Sequence, residues 1–358
     1  MSAMSTGALV FGTDVPQPVQ HGPPGGVMRR LNLVTAVLLG VGCAATAGFV
    51  INLVVPSTSS TATFAPVAPD LIYLGILVGW VIGFMAGIGA FVGPIRWFMG
   101  RDLTHLDAEY MAGKDLGWRR YFKFTTDHKV VGLQYLVVTM FLLGLGGLLA
   151  MLIRTELGVT WAEVFSPSFY NSMIGTHGIA MILAMILAVM GPIANFIMPI
   201  MIGARDMAFP RLNALSLWLV VVAAVCLVST LFTGGIQDGW SVYQPLASQG
   251  PPAMLGYQMT IIVFAISTGV ASINLIVTAV TMRAKGMTWT RTPILVYGVI
   301  AAALMGLYAF PFFQYAQIMA LTDRIWDTSF FNPLQGGSVW LYENLFWLLG
   351  HPEVYVIL

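Results

Sequence analysis

Near the end of this 358-residue chain, the run Leu349-Gly350-His351-Pro352-Glu353-Val354-Tyr355-Val356-Ile357 sets an imidazole, a carboxylic acid and a phenol into apolar surroundings. On a helix, His351 and Tyr355 are four residues apart and share one face, whereas Glu353 points to the opposite side. This spacing predicts a metal ligand and a redox-capable phenol facing one cavity, with an acid behind them. Ionisable groups deep in a membrane segment are costly and are read as functional by default. The structural alternative is a histidine and an acid satisfied by neighbouring helices.

The elements that position these groups are membrane spans. Charged residues make up 9% and hydrophobic residues 58% of the chain, against about 25% charge in a soluble domain. Apolar stretches long enough to cross a bilayer recur along it. The reading is an all-α, polytopic transmembrane helix bundle of about eight spans, at 31–55, 71–95, 130–153, 170–203, 214–234, 258–281 and 293–320, with a truncated eighth from about 339. In this topology only Arg154 and Arg324, of the 16 Lys and Arg residues, fall on one side. The side carrying the others is read as cytoplasmic, together with the N-terminus. With no basic domain, nucleic acid is excluded as a partner.

Residues 1–27 read as a disordered cytoplasmic tail, and 28–110 as a two-span N-terminal extension with a charged connector. Residues 111–358 form the main unit. The extension spans are nearly free of charge and rich in Gly, Ala and Val, which suits close helix packing. Cys43 and Cys226 read as buried structural thiols without ligand-like spacing. Of the five histidines only His177 and His351 lie in predicted spans; His21, His105 and His128 are expected to be solvated. Neutral imidazole suits heme iron or copper, and Gly178 beside His177 would let a flat ring approach the backbone. A hydrogen-bonded structural histidine is the other reading of His177. Asp206 at the cytoplasmic mouth, Asn195, Asn213, Ser216, Ser267, Thr268 and Asn274 within the spans, and Glu353 above them are the parts of a proton path. Interhelical hydrogen bonding is the alternative for any one of them.

From about Thr125 onward the chain resembles the N-terminal half of subunit I of the heme-copper respiratory oxidases, of the cytochrome c oxidase type. The motifs run collinearly: Asp127-His128-Lys129, Arg154-Thr155-Glu156-Leu157, Thr176-His177-Gly178, the Asp206 segment, Asp238-Gly239-Trp240-Ser241-Val242-Tyr243, Asn274, Met282 to Thr288, Asp327 to Phe331, and Phe346 to Tyr355. The resemblance implies two hemes and copper. His177 would be an axial ligand of the low-spin heme iron, with Arg154 at that heme's periphery. His351 would bind copper and become cross-linked to Tyr355, which would donate an electron and a proton to oxygen. Asp206, Asn195, Asn213, Ser216, Ser267, Thr268 and Asn274 would form a proton channel ending at Glu353.

The implied function is part of the catalytic subunit of a proton-pumping terminal oxidase, a translocase in a bacterial or archaeal cytoplasmic membrane. It would reduce oxygen to water with electrons from cytochrome c, in the company of subunits of types II and III. A quinol-oxidising oxidase, or a proton or solute transporter without metals, are the alternatives. Gly146, Phe169 and Ser172 stand where a quinol pocket would want polar ligands, and Glu343-Asn344 replaces the family's Gln-His. The family's remaining heme and copper ligands lie beyond Leu358, so these residues alone are expected to be inactive.

Overall fold

The computed structural model describes residues 26–55, 68–113, 117–159, 161 and 163–357. Most of the expected N-terminal tail, with His21, lies outside the described residues, as do Lys114 and Asp115. All regular structure among the described residues is helical, and seven helices are long and apolar enough to cross a membrane. They are α1 (Leu33–Val54), α2 (Ala68–Ile88), α3 (His128–Gly158), α4 (Pro167–Met201), α5 (Pro210–Thr230), α6 (Ala253–Thr281) and α7 (Ile294–Trp326). The expected eighth span is instead two pieces, α8 (Val339–Gly350) and α9 (Pro352–Ile357). Pro352 has no N–H to donate, and its ring clashes with the carbonyl four residues back, which kinks or breaks a helix; here the break falls at His351.

Local chemistry accounts for the boundaries. Asn32 caps α1 by accepting from the Val34 and Thr35 amides, while Thr35 accepts from the Asn32 amide in return. The expected span 71–95 stops short at Ile88, because Gly89 adopts a φ of +94° and turns the chain into a separate short helix, Val92–Phe98. Asp127 caps α3 through the Lys129 amide. In α4 the residues Val189–Ile197 widen into a π-helix around Pro192, where the Asn195 side-chain amide donates to the Met190 carbonyl at 2.9 Å. Such widened turns often mark functional sites.

The extension packs through small residues. Gly79, Gly83 and Gly87 lie so close to α1 that a Cβ on each would fall within 2.6 Å of the Cys43, Leu39 or Thr35 carbonyl oxygen. Their four-residue spacing brings two backbones together with no side chain between them. Cys43, on this seam, is only partly buried; Cys226 is fully buried, and both thiols are free. α2 then docks the pair onto α5 and α6. The Tyr73 hydroxyl lies 2.7 Å from that of Ser229, and the Phe84 ring packs against Trp218.

At the end of the bundle away from most of the basic residues, Arg324 closes a bidentate pair with Asp70. Nε and Nη2 each donate to a carboxylate oxygen at 2.9 Å, and both side chains are buried. At the other end Asp107, fully buried, accepts from the Met28 amide and the Thr104 hydroxyl and pairs with Arg96. The Asp70–Arg324 pair thus fastens the extension to the main unit, while the Asp107 contacts tie the start of the extension to its own connector.

Removing one partner of a buried ion pair costs more than removing both, because a lone charge remains. Asp70→Asn should lower stability by about 3–5 kcal/mol, and Asp70→Asn combined with Arg324→Met should recover much of that loss. Thermal unfolding of the detergent-solubilised protein measures both; equal losses in the single and double variants would contradict the account.

Candidate functional site

The break at Gly350–Pro352 divides the ionisable groups between two sides. Glu353 turns inward and is buried at 5% exposure, against a small apolar cavity lined by Ile179, Leu183, Trp240, Ile261, Phe313 and Phe346. His351 and Tyr355 turn outward and are exposed on the surface of the bundle, their rings meeting edge to face with centroids 4.5 Å apart. The shared face and the acid on the opposite side follow from the spacing. The expected cavity differs: among the described residues it lies on the Glu353 side, and the His351/Tyr355 pair faces out of the bundle.

His177 sits half-buried on α4 with its Nδ1 2.8 Å from the Gly146 carbonyl oxygen of α3. A carbonyl can only accept, so Nδ1 carries the proton and Nε2 keeps its lone pair free for a metal. Such a second hydrogen bond is what normally fixes a ligand imidazole. Gly146 has no room for a side chain, since a Cβ there would meet Met181 sulfur at 2.6 Å. Arg154, exposed on α3, lies two turns further from the basic end and makes no hydrogen bond or ion pair among the described residues. This donor set fits heme iron with one axial nitrogen. His351 offers one nitrogen to copper, and no group of three or more His, Cys, Asp or Glu residues among those described could hold a metal ion.

The polar residues of the expected proton path divide into pins and open groups. Asp206 lies in the turn after α4, partly buried in a cleft of about 260 Å³ with Asp127, His128, Lys129 and Arg205. Burial lifts its carboxyl above the usual range, opposed by the Met207 amide that donates to it at 2.7 Å. Asn274 uses both ends of its side-chain amide on the Phe209 backbone, and Thr278 accepts from the Ala208 amide. These two therefore hold the Asp206 turn in place. Thr268 is spent on its own helix through the Phe264 carbonyl, and Ser267 donates to the Ser216 carbonyl at 2.6 Å. Asn195 Oδ1 and Asn213 Nδ2, by contrast, are buried without a partner. Buried amide atoms of this kind are normally satisfied by bound water.

Two residues belong beside this set that sequence reasoning passed over or misread. Tyr135 is buried on α3 and donates its hydroxyl to Ser216 at 2.8 Å, three residues after the unpaired amide of Asn213. Its spacing of seven from His128 on one face of α3 was the available signal. His128, expected in solvent, is 2% exposed, with Nδ1 2.9 Å from the Asn195 carbonyl oxygen. The π-helix re-aims that carbonyl and draws the histidine in. His105 is exposed, beside Glu109.

Asn274→Leu removes both bonds to Phe209. It should raise amide hydrogen exchange across 206–209 while α5 and α6 stay protected; unchanged exchange there would mean that the turn does not depend on Asn274.

Among known proteins, the family model described as Cytochrome C and Quinol oxidase polypeptide I matches residues 130–358. The cytochrome c oxidase subunit 1 of Thermostichus vulcanus is 39% identical over 243 residues, covering 67% of this chain and 44% of that protein. The subunit of the same name from Synechocystis sp. is 36% identical over 242 residues, again 67% of this chain and 44% of its own length. A heme-copper oxidase subunit I+III from Aeropyrum pernix is 36% identical over 249 residues, 68% of this chain and 30% of that protein. The chain therefore spans less than half the length of these relatives.

Proposed function

Because this chain belongs to the cytochrome c and quinol oxidase polypeptide I family, the heme-copper oxidase subunits I, we propose that it forms part of the catalytic subunit of a proton-pumping terminal oxidase that takes electrons from cytochrome c. The observation that carries the reading is the division at Pro352: a phenol–imidazole pair on one side, a buried acid on the other. The further ligands that the metal groups need are assigned to the part of the relatives that this chain does not span, and oxidase subunits of types II and III are the expected partners. The whole extension lies ahead of the family match, which begins at residue 130, and residues 28–110 are read as an accessory unit beside a main unit from 111.

His177 would hold the low-spin heme iron through Nε2, with Arg154 available to a polar group at the heme edge. His351 would contribute one nitrogen to copper. When bound, these groups supply the electron transfer and oxygen reduction. This chain's own residues handle protons and orientation. Asp206 takes protons from the cytoplasm at the cleft it shares with His128 and Lys129, and the Asn274 and Thr278 bonds keep it at that mouth. Waters on Asn195 and Asn213, with the hydroxyls of Tyr135, Ser216, Ser267 and Thr268 alongside, lead toward Glu353, which relays protons across its cavity. Tyr355, against His351, supplies a proton and an electron on the other side.

The quinol alternative wants charged or polar groups near the first and second spans of the main unit, in their outer half. Gly146 is committed to His177 there, Phe169 is apolar and Ser172 is buried. This favours cytochrome c as donor. An absorbance spectrum and metal content of the complete membrane complex test the whole reading; a preparation without heme and copper would leave the transporter alternative.

In the complete enzyme Glu353→Gln should keep the heme spectrum and nearly abolish turnover, and Asp206→Asn should slow oxygen reduction and proton uptake together. Loss of heme or copper in the first variant, or normal uptake kinetics in the second, contradicts the assignment.

One helical turn separates His351 from Tyr355, so a bond between the rings needs little backbone change. Joining the rings would remove one hydrogen from each, and the two hydrogens would go to dioxygen, the substrate of the proposed oxidase. Peptide mass spectrometry of active, copper-loaded enzyme should find the pair lighter by those two hydrogens; two unmodified residues would sink the role.

A further inference from the structure

One layer of the bundle buries more polar chemistry than the path to Glu353 uses. α6 and α7 are antiparallel neighbours in a register set by Phe264 on Phe310, with ring centroids 5.7 Å apart, and by Gly306 beside Thr268 and Ser272. Carried on toward the end away from the basic residues, that register brings Gln317 level with Tyr257 and Gln258. Tyr342 of α8 joins them. Gln317 Nε2 donates to the Tyr342 hydroxyl at 3.1 Å, and that hydroxyl donates to the Ser241 carbonyl at 2.9 Å. The Tyr257 hydroxyl donates to the Trp240 carbonyl at 3.1 Å and lies beside that of Tyr342.

All four side chains are wholly buried. Yet Gln317 Oε1 and both ends of the Gln258 amide have no hydrogen-bond partner. An amide with donor and acceptor both unpaired is rare in a protein interior and rarer where no bulk water competes. Because the enclosure is complete within this chain, the missing partner has to be small, and it has to both give and accept hydrogen bonds. Water meets both conditions. Gln258 stands one turn from Ile261, which lines the Glu353 cavity together with Trp240, Phe313 and Phe346. The connector whose Trp240 and Ser241 carbonyls take the two tyrosine hydroxyls also carries Asp238. That residue is partly exposed, with one carboxylate oxygen enclosed and unpaired, and burial holds its carboxyl above the usual range.

We propose that Tyr257, Gln258, Gln317 and Tyr342 form a water-binding layer on the outward side of the Glu353 cavity, and that its waters carry protons from that cavity to Asp238. The layer extends the reading of this chain as a proton-pumping oxidase subunit and rests on it. A proton leaving the cavity passes from water to water along the two amides, whose carbonyls accept and whose NH₂ groups donate. It reaches the carboxylate of Asp238, from which it is released to the outer face. No electron moves in this step, and the number of protons entering the layer equals the number leaving it.

Two measurements on the complete oxidase decide it. A high-resolution map should contain ordered water within hydrogen-bond distance of the Gln258 amide and of Gln317 Oε1; dry amides in a well-resolved map overturn the proposal. Gln258→Leu with Gln317→Leu, and separately Asp238→Asn, should lose outward proton release relative to oxygen consumed, with the heme spectrum as the check on folding. Normal proton release in those variants overturns it as well. Should the double variant fail to assemble heme, the water density and Asp238→Asn still decide. Glu353→Gln separates the two levels of the reading: if it too releases protons normally, the proton-path reading falls, whereas normal release in the glutamine and Asp238 variants alone removes only the layer.

Discussion

A bundle that spans a bilayer has no water with which to excuse an unpaired polar group, and the rest of this structure follows from how that constraint is met. Most of its hydroxyls meet it locally. Thr260, Thr278 and Thr281 each return a hydrogen bond to the carbonyl four residues earlier in their own helix, so they add a polar atom without adding a demand. Among the described residues the buried polar atoms left open include single ones on Trp80, Thr139, Thr176, Trp218 and Ser272, and two sets that bear on the site. Those near Asp206 and those around Tyr342 lie at opposite ends of the same set of helices, with the apolar Glu353 cavity between them. A polar atom left open here costs about 1–3 kcal/mol, so two separate groups of them on one line are hard to read as oversight. Lys123, outside the spans, is the exception in kind. Fully buried without a counter-charge, it rests on the Tyr110 ring at 3.7 Å, and burial brings its ammonium down to about 7.

The same constraint explains how the two extension helices stay attached. Apolar surface gives little drive for association in lipid, where the tails are as apolar as leucine, so helices cohere through close backbone approach and through polar contacts. The glycines of α2 supply the first against α1, and Tyr73 with Ser229 supplies the second against α5. Asp70 and Arg324 contribute something further. Each is a charge that neither helix could carry alone at that depth, and each becomes tolerable only with the other in place. The pair therefore specifies one seating of the extension rather than merely favouring contact.

How far the sequence could be read depends on which property a residue expresses. Hydropathy reports transfer free energy averaged over a window, and the long spans stand out by it; their termini are set by single residues such as Gly89 and Asp127, to which an average is blind. Asp70 carries no sign of its pairing in the sequence, because its partner is 254 residues away. Tyr135 reads as apolar because a phenol in a hydrophobic run is usually that, and only the hydroxyl of Ser216 makes it polar. His128 lies in a polar segment, whereas its burial goes with a contact to the Asn195 carbonyl in a π-helix on another element. The spacing of His351, Glu353 and Tyr355 was legible because helical geometry alone fixes it. Asn274 was legible as polar but not as a pin, since the distinction lies in whether both ends of its amide are already occupied.

The break at Gly350–Pro352 is the step that ties this constraint to the chemistry. A helix of twelve residues, α8, is about 18 Å long and falls short of the ~30 Å hydrocarbon core. The break is therefore inside the membrane rather than at its edge, where stopping would be cheap. Gly350 is required because the Trp347 ring lies across it: a Cβ there would come within 2.3 Å of that ring. Trp347 in turn packs on Trp240, whose indole forms part of the cavity wall. The cavity and the break thus share a wall, and the chain resumes as a helix at Pro352 just where a carboxyl one position later can turn into that cavity. Two residues on either side of Glu353, the imidazole and the phenol are carried about 160° round the helix axis, which is why one short segment can present a proton-handling acid inward and a ligand pair outward without either group crossing the other's side.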